Sequence, residues 1–254
     1  MSGDETRWGS ARLAATPSES SGTPASVWAR LVPPPLDTSD CPGAVVVAPH
    51  PDDEVLGVGG LAALLAAAGV SVRTVAVTDG DASHPGSPTW SRDRLVRARI
   101  GESQRAAAHL GLDPPRRLGL PDGDVGAHEA RLTEEIAGLL RPGWWCLTTW
   151  RGDGHPDHEA TGRASARAAR SAGARLLEFP IWAWHWGTPD DPHIPWGRAR
   201  AVELPPDVHA AKRRAIDEFV TQTAPLSEDP ADRAILPPHI LERFLGTRET
   251  VFVS

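Results

Sequence analysis

Short unbroken apolar runs alternate with longer helical stretches that stop at glycine, and this rhythm narrows the folds open to the 254-residue chain more than any other feature. Ala44-Val45-Val46-Val47-Ala48 has no polar face, the pattern of a strand buried on both sides of a parallel sheet. From Glu54 to Ala68 the spacing predicts a helix, with Gly69 as its stop. Ser71–Thr78 reads as a second buried strand, closed by the turn Asp79-Gly80-Asp81. A long helix is expected over Arg92–Leu110, a short strand within Pro114–Leu120 and a helix over Leu132–Leu140. Trp144–Trp150 is another apolar strand, His158–Ala172 an alanine-rich helix stopped by Gly173, and Arg175–Phe179 a further strand. Strand and helix alternate with short links, which predicts a three-layer α/β fold around a mostly parallel sheet. Residues 1–40, rich in Ser, Thr, Gly and Pro, read as a loose leader with a short helix at Ser26–Leu31. Residues 41–254 then form a single domain, whose rhythm breaks after about residue 180 in a segment rich in Trp and Pro.

Two short stretches carry the candidate chemistry. His50-Pro51-Asp52-Asp53-Glu54 follows the first strand immediately, and His155-Pro156-Asp157-His158 follows the Trp144–Trp150 strand by a few residues. Ligands of open α/β sheets bind outside the carboxyl ends of the strands, so both stretches fall at the functional edge. Together they offer three histidines and four carboxylates. Two imidazoles and one carboxylate with a position left open describe a catalytic zinc site, and the remaining groups suffice for acid–base work. Either stretch alone would fit a helix-capping turn; their joint placement after buried strands favours a metal site.

Composition closes several other routes. The only lysine, Lys212, lies between Ala211 and Arg213, so no phosphate loop of the G-x-x-x-x-G-K-[ST] type exists, and its late position reads as incidental. There is no tyrosine to act as acid or oxyanion donor, and Cys41 and Cys146 cannot build a multi-cysteine zinc site. A net charge of −7 argues against nucleic-acid or anionic-membrane partners, and no run approaches a membrane span, so a cytoplasmic protein is expected. Gly57-Val58-Gly59-Gly60-Leu61-Ala62 fits G-x-G-x-x-A, but the first glycine lies nine residues past the strand instead of at the strand-to-helix turn. Close packing of this helix on the sheet explains those glycines better.

The chain resembles the PIG-L/LmbE-like de-N-acetylases, which deacetylate N-acetylglucosaminyl substrates. The resemblance rests on Pro49–Glu54 with Gly57-Val58-Gly59-Gly60 and on His155–His158. Weaker echoes are Thr78-Asp79-Gly80, Arg99-Ile100-Gly101-Glu102, Leu120-Pro121-Asp122-Gly123-Asp124 and the stretch 212–222. It implies a Rossmann-like three-layer sandwich and one Zn2+ per chain held by His50, Asp53 and His158. It also implies Asp52 as the base acting on metal-activated water and His155 as the group facing the substrate carbonyl. The implied substrate is a small amino-sugar conjugate. Family members of the mycothiol pathway carry tyrosine two residues before the first histidine of the second motif; here Asp153 stands there. Arg99 matches a position that contacts the substrate's polar end in the family, and Asp157 could orient an imidazole or be a solvated turn residue.

Trp182, Trp184 and Trp186 alternate with period two, which suggests one face of an extended segment. Exposed indoles there would stack on a sugar ring, with Trp184 the candidate substrate contact; core packing is the alternative. Two other functions stay open at this level: a non-catalytic sugar-binding protein on the same fold, and a metal-dependent amidase acting on a different N-acyl conjugate.

Overall fold

In a computed structural model, described for residues 4–254 with side chains from residue 9, the extended segments assemble into one seven-stranded sheet. Its strands are β1 (Ala44–Ala48), β2 (Val72–Ala76), β3 (Arg116–Arg117), β4 (Trp145–Thr149), β5 (Arg175–Phe179), β6 (Ala199–Glu203) and β7 (Arg248–Val253). The order is β3-β2-β1-β4-β5-β7-β6; the first five are parallel, and β7 runs antiparallel to both of its neighbours. The expected mostly parallel α/β sandwich is what forms. The antiparallel pair β6 and β7, drawn from the segment after residue 180, extends it.

Helices α1 (Asp4–Ala15) and α2 (Ala25–Trp28) precede the sheet, and α3 (Asp53–Ala67), α4 (Arg92–His109), α5 (Glu129–Ala137) and α6 (Pro156–Ala172) link its parallel strands. The later helices are α7 (Ala183–Trp186), α8 (Pro206–Asp217), α9 (Val220–Thr223) and α10 (Pro238–Leu241). Alternation along β1 divides the core. Ala44 and Val46 share one apolar cluster with residues of α3, α4 and α8, whereas Val45 and Val47 share the other with residues of α5 and α6. Gly57 lets α3 lie against the sheet, because a Cβ there would stand 2.2 Å from the Phe179 ring. No helix among the described residues is long and apolar enough to cross a membrane.

Two expectations need correction. The stretch read as a loose leader is tied to the domain: Leu13 packs on a Trp-rich cluster, Trp28 Nε1–H donates to Trp184 O at 2.7 Å, and Leu36 N–H donates to Ala201 O at 2.8 Å. Its few apolar side chains find a seat at the β6 edge, which the Ser/Thr/Pro content concealed. Lys212 is not incidental. Helix α3 breaks at Val58 (φ −143°), which frees the Leu56 carbonyl and the Gly60 and Leu61 N–H groups. Lys212 Nζ donates to Leu56 O at 2.8 Å, and Glu249 accepts from both N–H groups at 2.7 Å. The two side chains also pair at 2.7 Å, both buried. A cation thus sits at the carboxyl end of the first half-helix and an anion at the amino end of the second, the arrangement that backbone dipoles favour.

Candidate metal-centred active site

The order of the sheet reverses between β1 and β4, which are adjacent and parallel, and ligands of open α/β sheets bind at such a switch point. His50 leaves β1 and His155 leaves β4 at that edge, so residues a hundred positions apart meet. Three acceptor atoms converge: His50 Nδ1 lies 3.2 Å from Asp53 Oδ2, His158 Nε2 lies 3.3 Å from the same oxygen, and the two ring nitrogens are 3.3 Å apart. Zinc bonds of about 2.0–2.1 Å in a tetrahedron separate ligands by about 3.3–3.4 Å, so this donor set fits the ion.

Two other groupings share His50, one with His155 and His158 and one with Asp122 and Asp157, their ligand atoms within 4.8 Å of one another. The His50–Asp53–His158 set is tighter. In the second grouping the oxygens already accept backbone N–H groups: Asp122 Oδ2 from Ala82, and Asp157 Oδ2 and Oδ1 from Gly123 and Val125. Asp122 and Asp157 instead lie 3.1 and 3.4 Å from His50 Nε2, so on the neutral ring they favour the hydrogen at Nε2 and Nδ1 as the ligating atom. Burial opposes charge on His50, yet its hydrogen bonds with Asp122, Asp157 and Asp53 carry its pKa well above the usual histidine value. Asp157 is buried, so the solvated-turn alternative falls; it acts on an imidazole and does not line the cavity.

Asp52 is the one non-glycine residue with positive φ (127°) among the described residues, and it is buried. A backbone held in that region costs about 1–3 kcal/mol and persists where surroundings over-determine it. Here Glu54 Oε2 accepts the Asp52 N–H at 3.1 Å, and Arg99 donates to Pro51 O at 2.6 Å and to Asp52 Oδ2 at 3.1 Å. Burial raises the Asp52 pKa well above the usual carboxylate range, opposed by the Arg99 charge and reinforced by Asp53. Arg99 is buried at the site, and its Nε has no hydrogen-bond partner among the described residues. For His155, burial and the neighbouring His158 and His50 hold the pKa down to about 3. The Asp157 N–H donates to His155 Nδ1 at 3.3 Å, so the neutral ring carries its hydrogen on Nε2.

A cavity of about 240 Å³ opens over these groups. Its lining combines the polar His50, Asp52, Ser83, Arg99, Asp122 and His155 with the apolar Leu56, Ile181, Trp182, Ile235 and Leu236. The tryptophan expectation changes here. Residues 183–186 form the helical turn α7, so period two does not put the indoles on one face. Trp182 reaches the cavity; Trp184 packs edge-on against Trp28 with centroids 4.9 Å apart, and Trp186 Nε1–H donates to Asp153 O. The sequence reading missed Gln222, which lines the cavity, and Glu102, whose carboxylate accepts the Thr221 N–H and hydroxyl. Both lie in the weaker echoes, the only signal that could have found them.

The PIG-L family profile, described as GlcNAc-PI de-N-acetylase, matches residues 45–169, from β1 into α6. The chain belongs to the PIG-L family. A 1D-myo-inositol 2-acetamido-2-deoxy-alpha-D-glucopyranoside deacetylase of Mycolicibacterium gilvum is 30% identical over 195 residues, which cover 65% of this chain and 66% of that protein. The chain thus spans about two thirds of the length of that relative. A probable N-acetyl-alpha-D-glucosaminyl L-malate deacetylase of Bacillus subtilis is 34% identical over 131 residues, 49% of this chain and 59% of the relative. Among solved structures, N,N'-diacetylchitobiose deacetylase of Pyrococcus horikoshii superposes with a TM-score of 0.56 at 21% identity, covering 70% of each chain, a likeness of fold.

Proposed function

We propose that this PIG-L protein hydrolyses the N-acetyl amide of an N-acetylglucosamine-type conjugate at a single zinc ion held by His50, Asp53 and His158. The observation that carries the reading is the convergence of those three donor atoms at 3.2–3.3 Å beside a buried carboxylate and a third imidazole. Zinc supplies Lewis acidity toward an amide carbonyl and lets water ionise near neutral pH. Asp52 has the attributes of a proton acceptor: burial, a raised pKa and a guanidinium that fixes its orientation. His155, neutral with its hydrogen on Nε2, is suited to donate to the oxygen on which negative charge develops. With no tyrosine in the chain, that donor role falls to imidazole. The names of the relatives support an amino-sugar conjugate as substrate. The 240 Å³ cavity suits one sugar unit with its acyl group, the rest of the conjugate lying outside.

The test is a panel of N-acyl glucosaminyl conjugates read by release of free amine. Wild type with zinc should release amine from at least one N-acetyl member. Asp52→Ala should bind zinc and release none; full turnover by that variant removes Asp52 from the role of base.

A further inference from the structure

The geometry points to Asp153 as the positioning residue that keeps the ring hydrogen of His158 on Nδ1 and ties this ligand to the cavity wall. The inference rests on the zinc-site reading above. Asp153 is fully buried, and each of its carboxylate oxygens accepts two hydrogen bonds. Oδ1 takes the N–H groups of Ile181 at 2.8 Å and Ala183 at 3.0 Å. Oδ2 takes the Trp182 N–H at 3.0 Å and His158 Nδ1 at 2.8 Å. An oxygen in this position has only acceptor capacity, so the hydrogen of that last bond belongs to the ring. His158 Nε2 is then left with its lone pair, 3.3 Å from Asp53 Oδ2.

The main chain of Asp153 is pinned as well, its N–H by Trp150 O at 3.1 Å and its O by the Trp186 indole at 2.8 Å. The imidazole therefore has a fixed acceptor and a fixed hydrogen, which a ligating histidine needs to present one particular nitrogen. The same oxygen that orients His158 also holds the backbone of Trp182, whose side chain reaches the cavity. Ligand and cavity wall share one carboxylate.

Asp153→Asn tests this, since it keeps the size of the side chain and the two bonds to Oδ1. An amide placed at Oδ2 donates to His158 Nδ1 and drives the ring hydrogen to Nε2, the ligating atom. Zinc affinity, measured by competition with a chelator on the metal-free protein, should fall about 10–100-fold, the range for loss of such a partner. In parallel, 15N-histidine NMR of metal-free wild type at pH 8 should find the His158 hydrogen on Nδ1, and on Nε2 in the variant. A variant that binds zinc within threefold of wild type overturns the inference, as does a wild-type ring with its hydrogen on Nε2. The wild-type spectrum decides the matter even if Asp153→Asn fails to fold. Wild type that binds no zinc defeats the proposed function instead, and the spectrum still judges the role of Asp153.

Discussion

Replacing Glu249 by Gln should destabilise the protein by far more than a surface change, because three buried donors converge on its carboxylate. Lys212 Nζ, Gly60 N–H and Leu61 N–H each lie 2.7 Å from one of its oxygens, and both charged side chains are almost fully buried. Glutamine keeps the shape but offers one oxygen and turns an amide donor toward one of those donors. The larger effect is on Lys212, left as an uncompensated charge, for which breaking a buried pair costs about 3–5 kcal/mol. For a domain of this size that corresponds to a fall in Tm of roughly 10 °C, at about 2–4 °C per kcal/mol. The assay is urea denaturation followed by tryptophan fluorescence, with Lys212→Met and the double variant completing a cycle. The double variant should be less destabilised than the sum of the singles, since the neutral thioether side chain leaves no charge to strand. A loss below 1 kcal/mol for Glu249→Gln, or singles that add within about 0.5 kcal/mol, refutes the claim that this pair holds the break in α3.

Two further outcomes follow from the placement of the indoles and of the N-terminal segment. Trp182→Ala should raise KM for an N-acetylglucosaminyl conjugate that the panel identifies, whereas Trp184→Ala should lower Tm and leave KM unchanged; a raised KM for Trp184→Ala alone would return that side chain to the cavity. His185 Nε2 bonds Pro17 O at 3.0 Å, and burial, with the Arg243 and His239 charges, holds its pKa below 6.5 against the opposing bond to Pro17. The unfolded ring binds its proton at higher pH than the folded one, so this stabilisation is complete above about pH 6.5 and shrinks as pH falls toward the folded value. Hydrogen exchange should therefore show a lower protection factor for the Thr23 amide, which donates to His185 O, at pH 5.0 than at pH 7.5; equal factors count against the pH dependence.

The parallel half of the sheet was legible because strands buried on both faces leave unbroken apolar runs, as at Val45–Val47, and because Gly69, Gly111 and Gly173 mark helix ends. Strands β6 and β7 were not, since Arg200, Glu203 and Arg248 interrupt their apolar content and their pairing is antiparallel. The tryptophan alternation misled for a definable reason: the Asp153 carboxylate captures three successive N–H groups, from Ile181 to Ala183, and starts a helical turn where side-chain periodicity suggested a strand. The candidate ligands His50, Asp53 and His158 stood out because two His-Pro-Asp stretches follow buried strands. Of the partners that orient them, Asp122 sits on the loop after β3 and emerges only once the sheet brings the loops together, whereas Asp153 lies five residues before His158 but outside the His-Pro-Asp pattern. Lys212 looked incidental because its counterpart, Glu249, is 37 residues away on the last strand.

The role of a metal held by His50, Asp53 and His158 is decided by titrating zinc into chelator-stripped protein while following amine release from an N-acetylglucosaminyl conjugate that the panel has identified as a substrate. The stripped protein should be inactive, and activity should rise linearly to a plateau at one zinc per chain, with His50→Ala and His158→Ala never reaching it. Undiminished amine release from stripped protein, or a plateau reached equally by the two histidine variants, would mean that hydrolysis does not depend on a metal at these residues.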